Sequence, residues 1–260
     1  GKFNRKDDWP DQSEDSENGN TNVIAVDRNK VVFRCNISAC MDLTGNTSFQ
    51  IVMRLIPSKP PKYSDIGVEL EYLLKCIPRI GIVYMAGETG SGKSTTLSSF
   101  IRYILEEDTH IQGNIITIEE PIEFRYNEIQ SRHSVISQSQ VPEHFSSFAL
   151  AVREAMRRKP ALLLVGELRD QESFSAAIEL SQTGHPVLST VHSNDVANIL
   201  PRILALVPKE QQNRKLTETI ATAHALIAQR LVETIDGKQM AVRETLFMTK
   251  DFRSKLLDIA

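Results

Sequence analysis

Short apolar runs alternate with longer amphipathic segments through most of the chain. Four runs of strand length, "IGIVYMAG", "NIITIEE", "ALLLVGE" and "HPVLSTVHS", are separated by segments with the apolar spacing of helices. A short, nearly continuous apolar run is typical of a strand buried on both faces. The pattern therefore predicts an α/β fold, with a parallel sheet that carries helices on both faces.

The N-terminal part of the chain has a different pattern. Residues 1–20 are charged and polar, with an acidic run and little to bury, which predicts a mobile segment. Residues 21–56 alternate in the manner of strands, and we expect a small β-rich domain there, the remainder of a truncated one. Residues 57–66 contain three prolines and predict an extended linker to the α/β domain, residues 67–260.

A glycine-rich loop joins the first apolar run to a predicted helix. The stretch "GETGSGKSTT" matches G-x-x-x-x-G-K-[ST]. Glycines allow successive backbone N–H groups to converge on an anion, and the start of the helix adds partial positive charge. Lys93 would reach the β- and γ-phosphates of a nucleoside triphosphate, and the Ser94 hydroxyl would bind Mg²⁺ directly. The predicted phosphate-binding residues are Gly87, Glu88, Thr89, Gly90, Ser91, Gly92, Lys93, Ser94 and Thr95.

Polar residues close the other predicted strands, at the edge where parallel sheets bind ligands. They are Glu119 and Glu120 after one strand, Glu167 after the next, and Thr190, His192 and Asn194 after the last. Beside phosphates, such carboxylates and a histidine would polarise an attacking water and hold Mg²⁺ through water. Taken singly, a glutamate there is often a helix cap and a histidine usually packs, but together they favour a catalytic site.

Two histidines flank the last of these strands. His185 and His192 are seven residues apart, a separation of roughly 23 Å along a continuous strand. We therefore expect only His192 near the nucleotide, and we assign His185 to a turn or an interface.

Composition and the absence of certain motifs argue against several other classes of protein. The chain has 260 residues, 41% of them hydrophobic, and a formal net charge of -3. Its apolar runs are too short to span a bilayer, so we expect a cytoplasmic protein that does not insert into membranes. A basic stripe interleaved with aromatic residues is absent, which argues against direct nucleic-acid binding and a DNA translocase. The guanine-binding pattern N-K-x-D is also absent, which argues against a GTPase.

Five motifs in order resemble those of the secretion-ATPase superfamily. They are "GETGSGKSTTLSSFI", "ITIEEPIEF", "LLLVGELRD", "TGHPVLSTVHSND" and "IAQRL", similar to its phosphate loop, Asp box, Walker B box, His box and a later motif. The resemblance covers the chain from about Cys35 to near the C-terminus. Within the superfamily the chain is most similar to the PilT-type pilus-retraction branch and the DotB-type ATPases of type IVB secretion, and we favour the DotB type or its conjugative relatives.

The resemblance implies a RecA-like core, a PAS-like N-terminal domain and a homohexamer that hydrolyses ATP at its subunit interfaces with Mg²⁺. Such motors power type IV secretion or pilus machinery and are recruited to the inner membrane by partner proteins. Glu120 stands where the family usually has Asp, so Glu119 or Glu120 would be the catalytic base, and we prefer Glu119. Glu167 would hold Mg²⁺ through water. Arg34 and Arg54 match the arginines that the family brings from its N-terminal domain to the phosphates.

Two alternatives remain open. A nucleotide-binding scaffold of a secretion complex would hold ATP with little turnover, although the acids beside the loop favour the motor. A pilus-retraction motor has the same core. Arg34 and Arg54 would otherwise be solvated charges at a strand edge.

Overall fold

The computed structural model describes residues 20–26 and 31–258. The segment predicted to be mobile lies outside the described residues, apart from Asn20. The chain divides into two compact units, Gly1–Pro57 and Ser58–Ala260, and each is considered by itself below.

The N-terminal unit contains an antiparallel sheet of three strands in the order β1-β2-β3. Its strands are β1 (Asn20–Val26), β2 (Val32–Met41) and β3 (Thr47–Ile56). A turn joins β2 to β3, and in it the Asp42 carboxylate accepts hydrogen bonds from the backbone N–H groups of Thr44 and Asn46, at 2.8 and 2.9 Å. The small β-rich N-terminal sheet is thus confirmed.

The second unit is built on a sheet of seven strands in the order β10-β9-β4-β8-β7-β5-β6. Every neighbouring pair is parallel except β9 and β10, which form an antiparallel hairpin. The strands are β4 (Gly81–Ala86), β5 (Gly113–Glu119), β6 (Ser134–Gln140), β7 (Pro160–Val165), β8 (Pro186–Val191), β9 (Ala223–Glu233) and β10 (Gln239–Phe247).

Helices cover both faces of this sheet. They are α1 (Leu70–Cys76), α2 (Lys93–Glu106), α3 (Phe148–Met156), α4 (Gln171–Gln182), α5 (Ile199–Leu204), α6 (Gln212–Thr222) and α7 (Lys250–Leu257). Alternate residues of β4 face opposite ways, so that Val83 and Met85 pack with α1 and α2, and Tyr84 packs in the core shared with α3 to α7. The predicted α/β fold with a mainly parallel sheet is confirmed.

The parallel register brings four strand ends to one edge of the sheet. Ala86 at the end of β4 pairs with Val191 at the end of β8. Val165 at the end of β7 pairs with Ser189 of β8 and with Ile118 of β5. The loops that follow β4, β5, β7 and β8 therefore start side by side, as the sequence pattern requires for a shared site.

A buried hydroxyl in β4 provides a test of the core. Tyr84 is fully buried, and within the described part of the chain its hydroxyl has no hydrogen-bond partner. An unpaired buried hydroxyl carries an uncompensated desolvation cost. We expect Tyr84→Phe to raise the free energy of unfolding by about 1 kcal/mol in urea denaturation. A loss of stability in Tyr84→Phe would show that the hydroxyl has a stabilising partner.

Candidate nucleotide-binding site

The glycine loop passes directly over strand β9. Gly87 has φ 150°, and a Cβ atom there would lie 2.3 Å from the backbone oxygen of Gln229 and 2.5 Å from Ser91 Oγ. Neither distance is compatible with a side chain, so this position requires glycine. The close contact sets the path of the loop between β4 and the start of α2.

Lys93 is the first residue of α2 and lies inside the loop. Its Nζ donates hydrogen bonds to the carbonyl oxygens of Gly87 and Glu88, both at 2.8 Å, and the residue is buried. Burial lowers the pKa of Lys93, while the nearby charges of Glu167 and Glu123 act in the opposite direction. The loop therefore holds a cationic group close to two acids from other strand ends.

The loop also offers further groups to an anion. No side chain caps the N-terminus of α2, whose first N–H groups are free of side-chain acceptors. The Ser91 hydroxyl is buried without a hydrogen-bond partner among the described residues. Free backbone donors, a buried hydroxyl and a lysine at one helix start form an arrangement that fits phosphate groups.

Glu119, the last residue of β5, is a buried acid. Its Oε1 accepts hydrogen bonds from Thr117 Oγ1 at 2.6 Å and Gln138 Nε2 at 3.3 Å. Burial raises the pKa of Glu119 to about 7, against the lowering effect of these two hydrogen bonds. A carboxyl group with such a pKa exchanges protons near neutral pH, as a general base must.

A second acid, Glu167, lies after β7 and is bound on both carboxylate oxygens. His192 Nε2 is 3.1 Å from Oε1, and Arg169 Nε donates to Oε2 at 2.6 Å. Arg169 also forms an ion pair with Glu120, whose Oε2 lies 2.7 Å from Nη1. The strand ends of β5, β7 and β8 are thus joined by one polar network, with Arg169 at its centre.

The remaining predicted residues are placed as follows. Thr190 donates its hydroxyl proton to the Gly166 carbonyl oxygen beside Glu167, and Asn194 is exposed in the loop after β8. His185 lies in the turn before β8, at the opposite edge of the sheet, with Nδ1 3.1 Å from Thr183 Oγ1. The register thus separates the two histidines, and His192 is the one that meets the acids.

Arg34 and Arg54 belong to the N-terminal unit. They are directly opposite each other in the antiparallel ladder of β2 and β3. Opposite residues in such a ladder point to the same face of the sheet, about 5 Å apart at Cβ. In the described part of the chain, neither arginine forms an ion pair with a carboxylate.

The sequence reasoning missed several residues of this site. Glu123 acts on Lys93 and lies four residues after Glu119 within the quoted Asp box, and Arg169 follows Glu167 within a motif that was quoted for its acid. Gln229 donates from Nε2 to the Ser91 carbonyl oxygen at 2.7 Å. Its place in "IAQRL" was the available signal, but apolar periodicity does not reveal such a partner.

Comparison with known proteins decides the family. Residues 15–255 match the type II/IV secretion system protein family. The chain belongs to this family. Its mainly parallel sheet agrees with the RecA-like core that the resemblance implied.

Individual relatives agree with that assignment. The crystal structure of the Yersinia pseudotuberculosis ATPase DotB is 43% identical, covers 92% of this chain and 64% of that chain, and has a TM-score of 0.84. A structure of the pilus retraction motor PilT with bound ADP is 31% identical, covers 94% and 68%, and has a TM-score of 0.81. The type IV pilus retraction ATPase PilT of Pseudomonas aeruginosa is 33% identical over 204 residues, 78% of this chain and 57% of its own length. The chain thus spans between 57% and 68% of the lengths of these three relatives.

The described residues can be compared with the requirements of a metal site and of a membrane-spanning helix. Within residues 20–26 and 31–258, no three His, Cys, Asp or Glu side chains cluster so that they could hold a metal ion by themselves. Mg²⁺ in nucleotide sites needs only one or two protein ligands because phosphates supply others, so Ser94 at the start of α2 fits this role. None of the described helices is long and apolar enough to cross a membrane.

The loop geometry predicts a specific effect of removing its lysine. Lys93→Ala should weaken ATP binding at least about 100-fold, because a charge-assisted contact to the phosphates is lost from a buried position. Titration with a fluorescent ATP analogue measures this affinity. Lys75→Ala is the matched control, since Lys75 is exposed on α1 and pairs only with Glu71 among the described acids. Equal affinity in Lys93→Ala and Lys75→Ala would refute the phosphate role of Lys93.

Proposed function

We propose that this chain is a cytoplasmic ATPase motor that assembles as a homohexamer and hydrolyses ATP at its subunit interfaces. The motor powers type IV secretion of the type IVB or conjugative kind. Partner proteins recruit it to the inner membrane. The observation that carries the proposal is the convergence of Lys93, Glu119 and Glu167 at one edge of a RecA-like sheet. The higher identity to DotB, 43% against 31% for the PilT structure, supports the secretion branch.

ATP is the substrate, and the loop residues bind it. Backbone N–H groups from Gly87 to Thr95 surround the phosphates, and Lys93 contacts the β- and γ-phosphates. Ser94 would be the direct protein ligand of Mg²⁺, and Glu167 would act on the ion through water. Mg²⁺ supplies charge neutralisation for the phosphates when it is bound.

The surroundings of each acid determine its role in hydrolysis. Glu119 is the general base, because its burial raises its pKa to about 7 and leaves it able to accept a proton from water. Glu120 is held in an ion pair with Arg169, so its carboxylate is already engaged by another side chain. His192 orients Glu167 through their 3.1 Å contact.

Arg34 and Arg54 complete the site by contacting the γ-phosphate. Two guanidinium groups directly opposite in a ladder repel each other, so an anion between them relieves a cost already present in the sheet. Such contacts exist before hydrolysis and weaken afterwards. The arginines therefore connect ATP turnover to movement of the N-terminal unit on its linker.

A pilus-retraction motor is the second candidate, and its support is the match to PilT of Pseudomonas aeruginosa. A scaffold with little turnover is the alternative from another class. Particle mass measured with and without a non-hydrolysable ATP analogue, together with phosphate release, separates a motor of either kind from the scaffold. The proposal predicts hexamers and steady phosphate release, whereas a monomer that never hydrolyses ATP would overturn it.

The pKa of Glu119 predicts a pH dependence. A general base works only when ionised, so kcat/KM for ATP should rise with pH through an apparent pKa of about 7 and then level off. Glu119→Gln should lower kcat by at least about 100-fold and remove this rising limb. His192→Gln is the comparison variant, since His192 contacts Glu167 at the same edge of the sheet. A limb that persists in Glu119→Gln and disappears in His192→Gln would assign it to the histidine.

The arginines predict a loss of turnover without a loss of binding. Arg34→Ala and Arg54→Ala should each reduce kcat by about 1,000-fold, because arginine contacts to a transferring phosphate act mainly on the transition state. ATP affinity and melting temperature should change little. Normal turnover in both variants would refute the role of the arginines, and parallel losses of stability and binding would assign them a structural role.

Mixing two variant subunits tests which subunit of the hexamer supplies the arginine to a site. Arg54→Ala subunits mixed with Glu167→Gln subunits should recover part of the activity if the arginine comes from a neighbour, because some interfaces then contain one complete site. An identical experiment with Arg34→Ala tests the other arginine.

A further inference from the structure

A buried amide on β9 connects the phosphate loop to the rest of the second unit. Gln229 is 3% exposed, and its Nε2 donates to the Ser91 carbonyl oxygen at 2.7 Å. Its Oε1 accepts from Thr96 Oγ1 and from Arg243 Nε, both at 2.8 Å. If the Gln229 amide were reversed, its NH₂ group would face the Arg243 guanidinium, and its oxygen would face the Ser91 carbonyl oxygen. The neighbouring groups therefore determine the orientation of the amide.

Arg243 on β10 extends this connection to the segment that precedes α1. Its Nη1 donates to the Gly67 carbonyl oxygen and its Nη2 to that of Ile66, both at 3.4 Å. Burial lowers the pKa of Arg243, and among the described residues no carboxylate forms an ion pair with it. A partly buried cation that relies on neutral oxygens is sensitive to their positions.

The same segment is attached to helix α2. Arg102 Nη1 donates to the Pro60 carbonyl oxygen at 2.7 Å, and the Arg102 side chain is almost fully buried. Tyr63 packs edge-to-face on Tyr103, with ring centroids 5.4 Å apart. Residues 60–67, which we call the docked segment, therefore contact the helix that starts at the loop and the hairpin that supports the loop.

We propose that Gln229 and Arg243 are positioning residues that join the phosphate loop to the docked segment, so that nucleotide binding orders this segment. The inference rests on the proposed function only in that the loop binds nucleotide. Gln229 holds the Ser91 end of the loop, and Arg243 transmits its position to Ile66 and Gly67. The tether thus connects the loop to the segment that precedes α1 in the chain.

Hydrogen exchange of the docked segment tests the coupling. The amide N–H groups of Gly67 and Val68 bond to the carbonyl oxygens of Ser64 and Tyr63 at 3.2 and 3.0 Å, so peptides that contain them report opening. In the unchanged protein, ADP should slow their exchange by at least about fivefold. In Arg243→Met their exchange should be faster without ADP, and ADP should no longer slow it.

Two further variants separate the two halves of the tether. Gln229→Glu keeps an acceptor for Thr96 and Arg243 but loses the donor to Ser91, so ADP affinity should fall about fivefold while the docked segment stays protected without ADP. Arg243→Lys retains the charge with fewer donors and should give an intermediate exchange rate. Arg230→Met is the matched control, because Arg230 is the exposed next residue of β9 and should leave ADP affinity and exchange unchanged.

The outcomes distinguish the coupling from the proposed function. An unchanged protein that does not bind ADP would overturn both. ADP binding with the same exchange response in Arg243→Met as in the unchanged protein would overturn the coupling alone. The unfolding transition of Arg243→Met shows whether this variant has lost its structure. If Arg243→Lys melts normally and responds to ADP like the unchanged protein, that result would also overturn the coupling.

Discussion

The close approach of Gly87 to the backbone oxygen of Gln229 is the contact on which the site depends. The oxygen lies where any side chain at this position would begin, 2.3 Å from an ideal Cβ. The loop can therefore lie against β9 only with glycine there. This path sets the start of α2, and with it the position of Lys93 and of the first N–H groups of that helix. Since β9 follows β4 in the sheet and not in sequence, the fold itself supplies the supporting strand.

The sheet edge gives chemically identical side chains different properties. Glu119 is buried at the end of β5 with hydroxyl and amide donors, and burial raises its pKa to about 7. Glu167 follows β7 and is bound by Arg169 and by His192. Burial with neutral donors lets the Glu119 carboxyl exchange a proton near neutral pH, whereas the Glu167 carboxylate is engaged by a guanidinium group and an imidazole. The same residue type can thus serve as a base at one strand end and as a charge near Mg²⁺ at the next.

Most of the fold could be predicted from the sequence, but less of the site. The strands β4, β5, β7 and β8 were predicted because they are nearly continuous apolar runs between turn residues. The polar β6 and the long β9-β10 hairpin were not, since their patterns resemble loop or amphipathic segments. The loop was recognised because its spacing is local. Gln229 was not, because its bond to Ser91 joins residues 138 positions apart, and only the strand order shows that they meet. The roles of Arg34 and Arg54 remain predictions, as do those of the acids.

The most direct test of the role of the Gly87 contact compares substitutions at two glycines of the loop by titration with ADP. Gly87→Ala places a Cβ atom against the Gln229 oxygen, whereas Gly90→Ala meets no atom within 4 Å, although both positions have positive φ. Gly87→Ala should lose measurable ADP binding while keeping its far-ultraviolet circular dichroism and cooperative unfolding, and Gly90→Ala should retain binding at reduced affinity. ADP binding by Gly87→Ala with the affinity of the unchanged protein would contradict the role assigned to this contact.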